Sequence, residues 1–167
     1  RCSPITVSPR PSTVTESIDD TTMIMTIANK LTEQGYTHVV SDFDGTITSG
    51  IAYSRSGSRS KPKKKRARTN PTISPWWKRL ITELNKRNIA FVILSNNSQQ
   101  IIQYTLDQHK LGKLSIPIYS VFDQNNCLED DTKTVTKTSL FQDNIVGSHN
   151  KIVKAFCIDD EVNTFFG

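Results

Sequence analysis

Three places in the sequence set oxygen-bearing side chains directly after an apolar run. Asp42-Phe43-Asp44-Gly45-Thr46 follows Val39-Val40-Ser41, Ser95-Asn96-Asn97 follows Ala90-Phe91-Val92-Ile93-Leu94, and Asp159-Asp160-Glu161 follows Phe156-Cys157-Ile158. Paired acids repel each other unless a cation is present, so the first and last groups have the makings of a cation site. Ser95-Asn96-Asn97 has the composition of a helix cap, and the same helix N-terminus can hold a phosphate. Each group alone also has a plainer account, as a turn, a cap or a solvated acidic loop. What distinguishes the accounts is whether the fold brings the three together.

The elements that must position them can be read from hydrophobic periodicity. Residues 37–43, 90–94, 116–122 and 155–159 are short apolar or β-branched runs of the kind that form strands buried on both faces. Helical spacing appears between them. Ile24, Ile27, Ala28 and Leu31 mark a helix over residues 17–34 that stops at Gly35. Ser74-Pro75 starts another, with Trp77, Leu80, Ile81 and Leu84 on one face and Asn88 at its end. Residues 98–110, with Ile102 and Leu106 inward, and residues 137–145 complete the series. Strands alternating with helices predict an α/β fold: a Rossmann-like three-layer α/β/α sandwich around a central parallel sheet. In such a sheet the ligand site lies at the carboxyl ends of the strands, where all three polar groups sit.

In that order the groups resemble the motifs of the haloacid dehalogenase (HAD) superfamily. Val39-Val40-Ser41-Asp42-Phe43-Asp44-Gly45-Thr46 resembles its first motif, Val92-Ile93-Leu94-Ser95-Asn96 its second, and Phe156-Cys157-Ile158-Asp159-Asp160 its fourth. The third motif is a single Lys. Lys137 matches best in position, with Lys133 and Lys151 as rivals. The resemblance spans roughly residues 37–162 and implies a Mg²⁺-dependent phosphohydrolase working through an aspartyl-phosphate. By that resemblance Asp42 is the nucleophile and Asp44 the general acid and base; Ser95 and Lys137 hold and neutralise the transferring phosphoryl group. Gly45, Thr46 and Asn96 join Ser95 in substrate binding, while Asp42, Asp44 (through its carbonyl), Asp159 and Asp160 serve the metal.

Family members acting on small metabolites commonly carry a folded cap domain. The interval after the first motif is here mostly a basic loop, about residues 49–73, and neither interval holds a second core. No large cap is expected. The resemblance therefore implies an open site for a phosphorylated macromolecule: a phosphoprotein, phosphotyrosine included, or in the alternative a nucleic-acid end. A further alternative is a noncatalytic nuclear or nucleic-acid-binding module on a HAD scaffold.

The net charge of +5 is local in origin. Arg55 to Arg68 contains eight basic residues and no acid, which leaves 13 Lys and Arg against 16 Asp and Glu elsewhere. Lys61, Lys63, Lys64, Lys65, Arg66 and Arg68 resemble a nuclear localisation signal, so a nuclear import receptor is an expected partner. The run also suits a solvated loop, a phosphate-backbone contact or a steering patch for anionic substrates. Expected location is the nucleus or cytoplasm of a eukaryotic cell, native or delivered by a pathogen.

The 167 residues make a one-domain length, with residues 1–15 a flexible Ser/Thr/Pro-rich tail and 16–167 the catalytic domain. No run approaches the ~18 apolar residues of a membrane span, so no membrane partner is expected. The start lacks Met and any secretory pattern, and the chain stops soon after the fourth motif; both read as processing, truncation or a minimal fold. Cys2, Cys127 and Cys157 lack metal-ligand spacing and fit a reducing compartment, and His38, His109 and His149 read as structural.

Overall fold

The computed structural model describes residues 19–50, 71–128, 134–147 and 152–159. The N-terminal tail, the basic stretch with Lys61, Lys63, Lys64, Lys65, Arg66 and Arg68, and Lys133, His149, Lys151 and Asp160 lie outside the described residues.

Four strands form one all-parallel sheet in the order β3-β2-β1-β4: β1 (His38–Ser41), β2 (Ala90–Ser95), β3 (Ile118–Ser120) and β4 (Ala155–Ile158). α1 (Asp20–Glu33) precedes the first strand, and between the strands lie α2 (Pro75–Lys86), α3 (Gln99–Gln108), α4 (Val121–Asn126) and α5 (Lys137–Phe141). Mixed α/β architecture with a parallel sheet is what the alternating pattern predicts.

Strand side chains alternate between two apolar clusters, the consequence of a two-residue repeat. Val39, Phe91, Ile93 and Ile118 join Ala28 and Leu31 of α1, Leu80 and Leu84 of α2, and Ile102 and Leu106 of α3. Val40, Val92 and Leu94 join Leu140 of α5 and Ile145. Burying each such aliphatic side chain contributes about 1.5–3 kcal/mol, which explains why the strands carry few polar residues until they end.

Local chemistry sets the element ends. The Ser74 hydroxyl accepts from the Trp76 N–H and Pro75 occupies the first turn, starting α2 where the sequence predicts. Gly35, at φ 73°, takes the left-handed conformation that closes α1. Asn88, also left-handed at φ 58°, follows α2.

Two expectations need correction. The third strand is shorter than residues 116–122, because the Ser120 hydroxyl accepts from the Asp123 N–H and starts α4, drawing Val121 and Phe122 into a helix. The helix over 137–145 is α-helical only to Phe141 and then widens into a π-helical turn, Gln142–Val146. No helix among the described residues is long and apolar enough to cross a membrane.

Candidate functional site

The site is built where β1, β2 and β4 end. β1 and β4 pair in register up to Ser41 and Ile158, and the next N–H, that of Asp42, donates to the Ile158 carbonyl at 2.8 Å. This pairing carries Asp42 and Asp159 out of neighbouring strands side by side. Phe43 is buried in the core and anchors the turn: its carbonyl accepts from the N–H groups of Ile47 and Thr48 at 3.0 and 3.1 Å. Gly45 stands at φ 78°, where a Cβ would be strained.

Lys137 is the first residue of α5. Thr136 and Ser139 form a reciprocal capping box that fixes the start of that helix and so the departure of the lysine side chain. Its ammonium lies 3.0 Å from Asp42 Oδ1 and 2.9 Å from Asp159 Oδ2. Lys137 is 6% exposed and Asp42 7%. Two carboxylates thus share one cation away from bulk water, a net negative charge when all three are ionised.

Burial pushes the Asp42 carboxyl above its ordinary range, against the pull of Lys137 and a hydrogen bond at Phe43, and the charge of Asp159 adds to the rise. For Lys137, burial disfavours the ammonium, but the hydrogen bond to Asp159 and the charge of Asp42 outweigh it, and the net direction is upward. Lys137 stays charged at neutral pH. Cys157, on β4 beside this group, is pushed up by burial and then by Asp159, which keeps it a thiol and a poor nucleophile.

Asp44 points toward the end of β2. Asn97 Nδ2 donates to Asp44 Oδ2 at 2.9 Å, the Asn97 N–H donates to Ser95 Oγ at 3.2 Å, and Asn97 Oδ1 accepts from the Ser98 N–H at 2.8 Å. Ser95 is 1% exposed; Asn96, expected to bind substrate, is exposed. Sequence reading named Asn97 within the polar group Ser95-Asn96-Asn97 but gave it no role of its own. Its further signal was its place just before the cap residue Ser98, where an Asn side chain readily bonds neighbouring backbone.

Thr46 Oγ1 is a buried hydroxyl with no hydrogen-bond partner among the described residues. Beside it a surface cavity of about 490 Å³ is bordered by Gly45, Thr48, Ile73, Pro75 and Trp77. His38 bonds Thr37 at the far end of β1, and His109 bonds the Pro71 carbonyl, both away from the acids.

The donors suit a hard divalent cation in type: Asp42 and Asp159 bring carboxylate oxygens together, and their charge exceeds that of the single ammonium. Among the described residues no group of three or more His, Cys, Asp or Glu is arranged to hold a metal ion. The fourth acid of the expected set, Asp160, lies outside them. Comparison of the chain with protein-family models, with curated proteins and with solved structures finds no significant match.

Proposed function

We propose that this protein is a HAD-type phosphohydrolase, Mg²⁺-dependent, in which Asp42 attacks phosphorus. The observation that carries the reading is the buried Lys137 ammonium held between Asp42 and Asp159 at the carboxyl ends of β1 and β4. A phosphomonoester dianion repels an attacking carboxylate, and a fixed ammonium beside both lowers that repulsion without reorganising during the reaction. On this reading the parallel sheet belongs to the three-layer sandwich of the superfamily.

An Asp42 oxygen forms a bond to phosphorus as the bond from phosphorus to the leaving oxygen breaks, and the Asp44 carboxyl gives that oxygen its proton. The Asp44 carboxylate then takes a proton from water as the water oxygen attacks phosphorus, which breaks the acyl-phosphate bond and restores Asp42. Ser95 holds a phosphoryl oxygen. Asp42, Asp159, the Asp44 carbonyl and Asp160 would hold Mg²⁺, which when bound neutralises phosphate charge and orients the ester.

For substrate we infer a phosphorylated macromolecule, a phosphoprotein before a nucleic-acid end, reached in the nucleus by way of the basic stretch. That inference rests on the sequence: the short intervals between motifs and the cations from Lys61 to Arg68. The test is hydrolysis of phosphotyrosine and phosphoserine peptides and of 3′-phosphorylated oligonucleotides with Mg²⁺ and with EDTA. No Mg²⁺-dependent release of phosphate from any of these, nor from an activated aryl phosphate, would falsify the enzymatic reading.

A further inference from the structure

Asn97 is held by three hydrogen bonds to two neighbours in sequence and one residue far from it in sequence, and their directions are not interchangeable. The Ser98 N–H can only donate, so the atom it meets at 2.8 Å is the Asn97 amide oxygen. That fixes the amide, and its NH₂ group faces Asp44 Oδ2 at 2.9 Å. The Asn97 N–H is spent on Ser95 Oγ, tying the same residue to the buried hydroxyl at the end of β2. The side chain is thus oriented by the backbone that starts α3, with no rotamer left to choose.

We propose that Asn97 is a positioning residue for the leaving-group step, a role that rests on the phosphohydrolase reading above. Its amide holds Oδ2 of Asp44, so the carboxyl group is kept at one torsion and the proton it transfers rides on Oδ1. Asp44 follows β1 in a turn and is only half buried, so each contact that restrains its carboxyl, the Asn97 amide among them, narrows the rotamers it samples. Misplacement by about 1 Å is enough to cost a large factor in a proton-transfer step. Ser95 is coupled to this arrangement: the Asn97 N–H occupies a lone pair of its oxygen, leaving the hydroxyl hydrogen to turn toward a phosphoryl oxygen. One asparagine therefore aligns the group that protonates the leaving oxygen and the group that holds the phosphate.

Such a role makes a demand that a merely structural one does not. General-acid assistance matters most for a poor leaving group, so loss of the Asn97 donor should weaken turnover of an alkyl phosphate much more than that of p-nitrophenyl phosphate. The measurement is kcat/KM, which reports steps up to departure of the leaving group, for both esters with Mg²⁺. In Asn97→Ala the aryl-to-alkyl ratio should rise about tenfold or more. Asn97→Asp keeps an acceptor for the Ser98 N–H but has no donor for the Asp44 carboxylate, so it should show the same rise even if the alanine variant folds poorly.

A second readout needs no activity. In ¹⁵N-labelled protein the Asn97 side-chain amide resonance should move, and its hydrogen exchange quicken, on Asp44→Ala. An unmoved resonance overturns the contact. Equal loss on both esters in the two Asn97 variants overturns the positioning role while the phosphohydrolase reading stands. Wild-type protein inactive on both esters overturns that reading, and the role of Asn97 falls with it.

Discussion

Asp42 and Asp159, from opposite halves of the chain, bear on one ammonium, that of Lys137, at 3.0 and 2.9 Å. Desolvation penalises the charges of Asp42 and Lys137; for Lys137 the two carboxylates outweigh it, while for Asp42 the surviving rise in pKa means that pairing does not fully repay it. Perturbed carboxyls cluster at functional sites, although structural ion-pair networks perturb them too, and the place of this group at the strand ends of a parallel sheet is what the proposed function builds on.

Asp42→Asn should abolish Mg²⁺-dependent hydrolysis of an aryl phosphate, since it removes the proposed nucleophile with little change of volume. Its stability should hold or rise at neutral pH. Because the folded-state pKa of Asp42 is raised, the native state binds more protons than the unfolded chain between the two pKa values; the contribution of Asp42 is favourable in acid and lost as pH rises through the folded value. A neutral amide escapes that loss. Thermal melts of both proteins across the acid-to-neutral range measure it, and wild-type turnover by the variant would remove Asp42 from its role.

Lys137→Met should cut turnover at least a hundredfold, and it leaves Asp42 and Asp159 facing each other without their cation. Breaking a buried pair in this way costs about 3–5 kcal/mol. The deficit should shrink as pH falls, because the stranded carboxylates bind a proton more readily in the folded protein. Wild-type Lys137, whose pKa is raised, contributes its stability throughout the neutral range and loses it only in strong alkali. Melts at neutral and acid pH that show the same gap between variant and wild type would contradict this account.

Asp44→Asn separates the two halves of the reaction. With a good leaving group the aspartyl-phosphate should still form, but the water that breaks it down loses its base, so phosphorylated protein should accumulate. Intact-mass measurement during turnover, or a burst of p-nitrophenol, detects it; unimpaired steady-state turnover would show that another group activates the water.

Thr46→Val replaces an unpartnered buried hydroxyl by a methyl group of the same shape. Leaving such a group unsatisfied costs about 1–3 kcal/mol, so the variant should be more stable by about 1 kcal/mol. If Thr46 Oγ1 finds its partner in the bound ester, KM should rise at the same time. A variant less stable than wild type would mean that the hydroxyl is satisfied in solution.

Replacing Lys63, Lys64, Lys65 and Arg66 by Ala should change stability by no more than about 0.5 kcal/mol, as expected for a charged stretch without apolar periodicity. A fluorescent fusion too large for passive nuclear entry should move from nucleus to cytoplasm. If it stays nuclear while salt-sensitive DNA binding disappears, the basic stretch is a nucleic-acid contact.

β2 and β4 were legible because each is a short apolar run, and Ala90–Ser95 reads that way without help from its surroundings. The end of β3 was not, because Ser120 sits inside the apolar stretch from Ile116 to Phe122 and acts as a cap only once its hydroxyl reaches the Asp123 N–H. The acids of the site could be named from sequence, since strand ends expose them. Sequence position put Lys137 ahead of Lys133 and Lys151, but its contact with both Asp42 and Asp159 depends on the register of β4 against β1 and so on tertiary structure. The role of Asn97 escaped for a similar reason: its partner Asp44 is local in space and distant in sequence.

The pairing of β1 with β4 also governs when the site can exist. β1 precedes the other strands in the chain and β4 follows them, yet they are neighbours in the sheet. A growing polypeptide would therefore expose Asp42 and Asp44 on the ribosome long before Asp159 is translated. Closing so distant a contact is slow compared with forming α1 or α2. Until β4 docks, Asp42 lacks both the Ile158 carbonyl that accepts its N–H and the acid that shares its lysine. The group of Asp42, Lys137 and Asp159 is thus completed in one late step, and the activity proposed for it would be acquired at that step rather than by degrees.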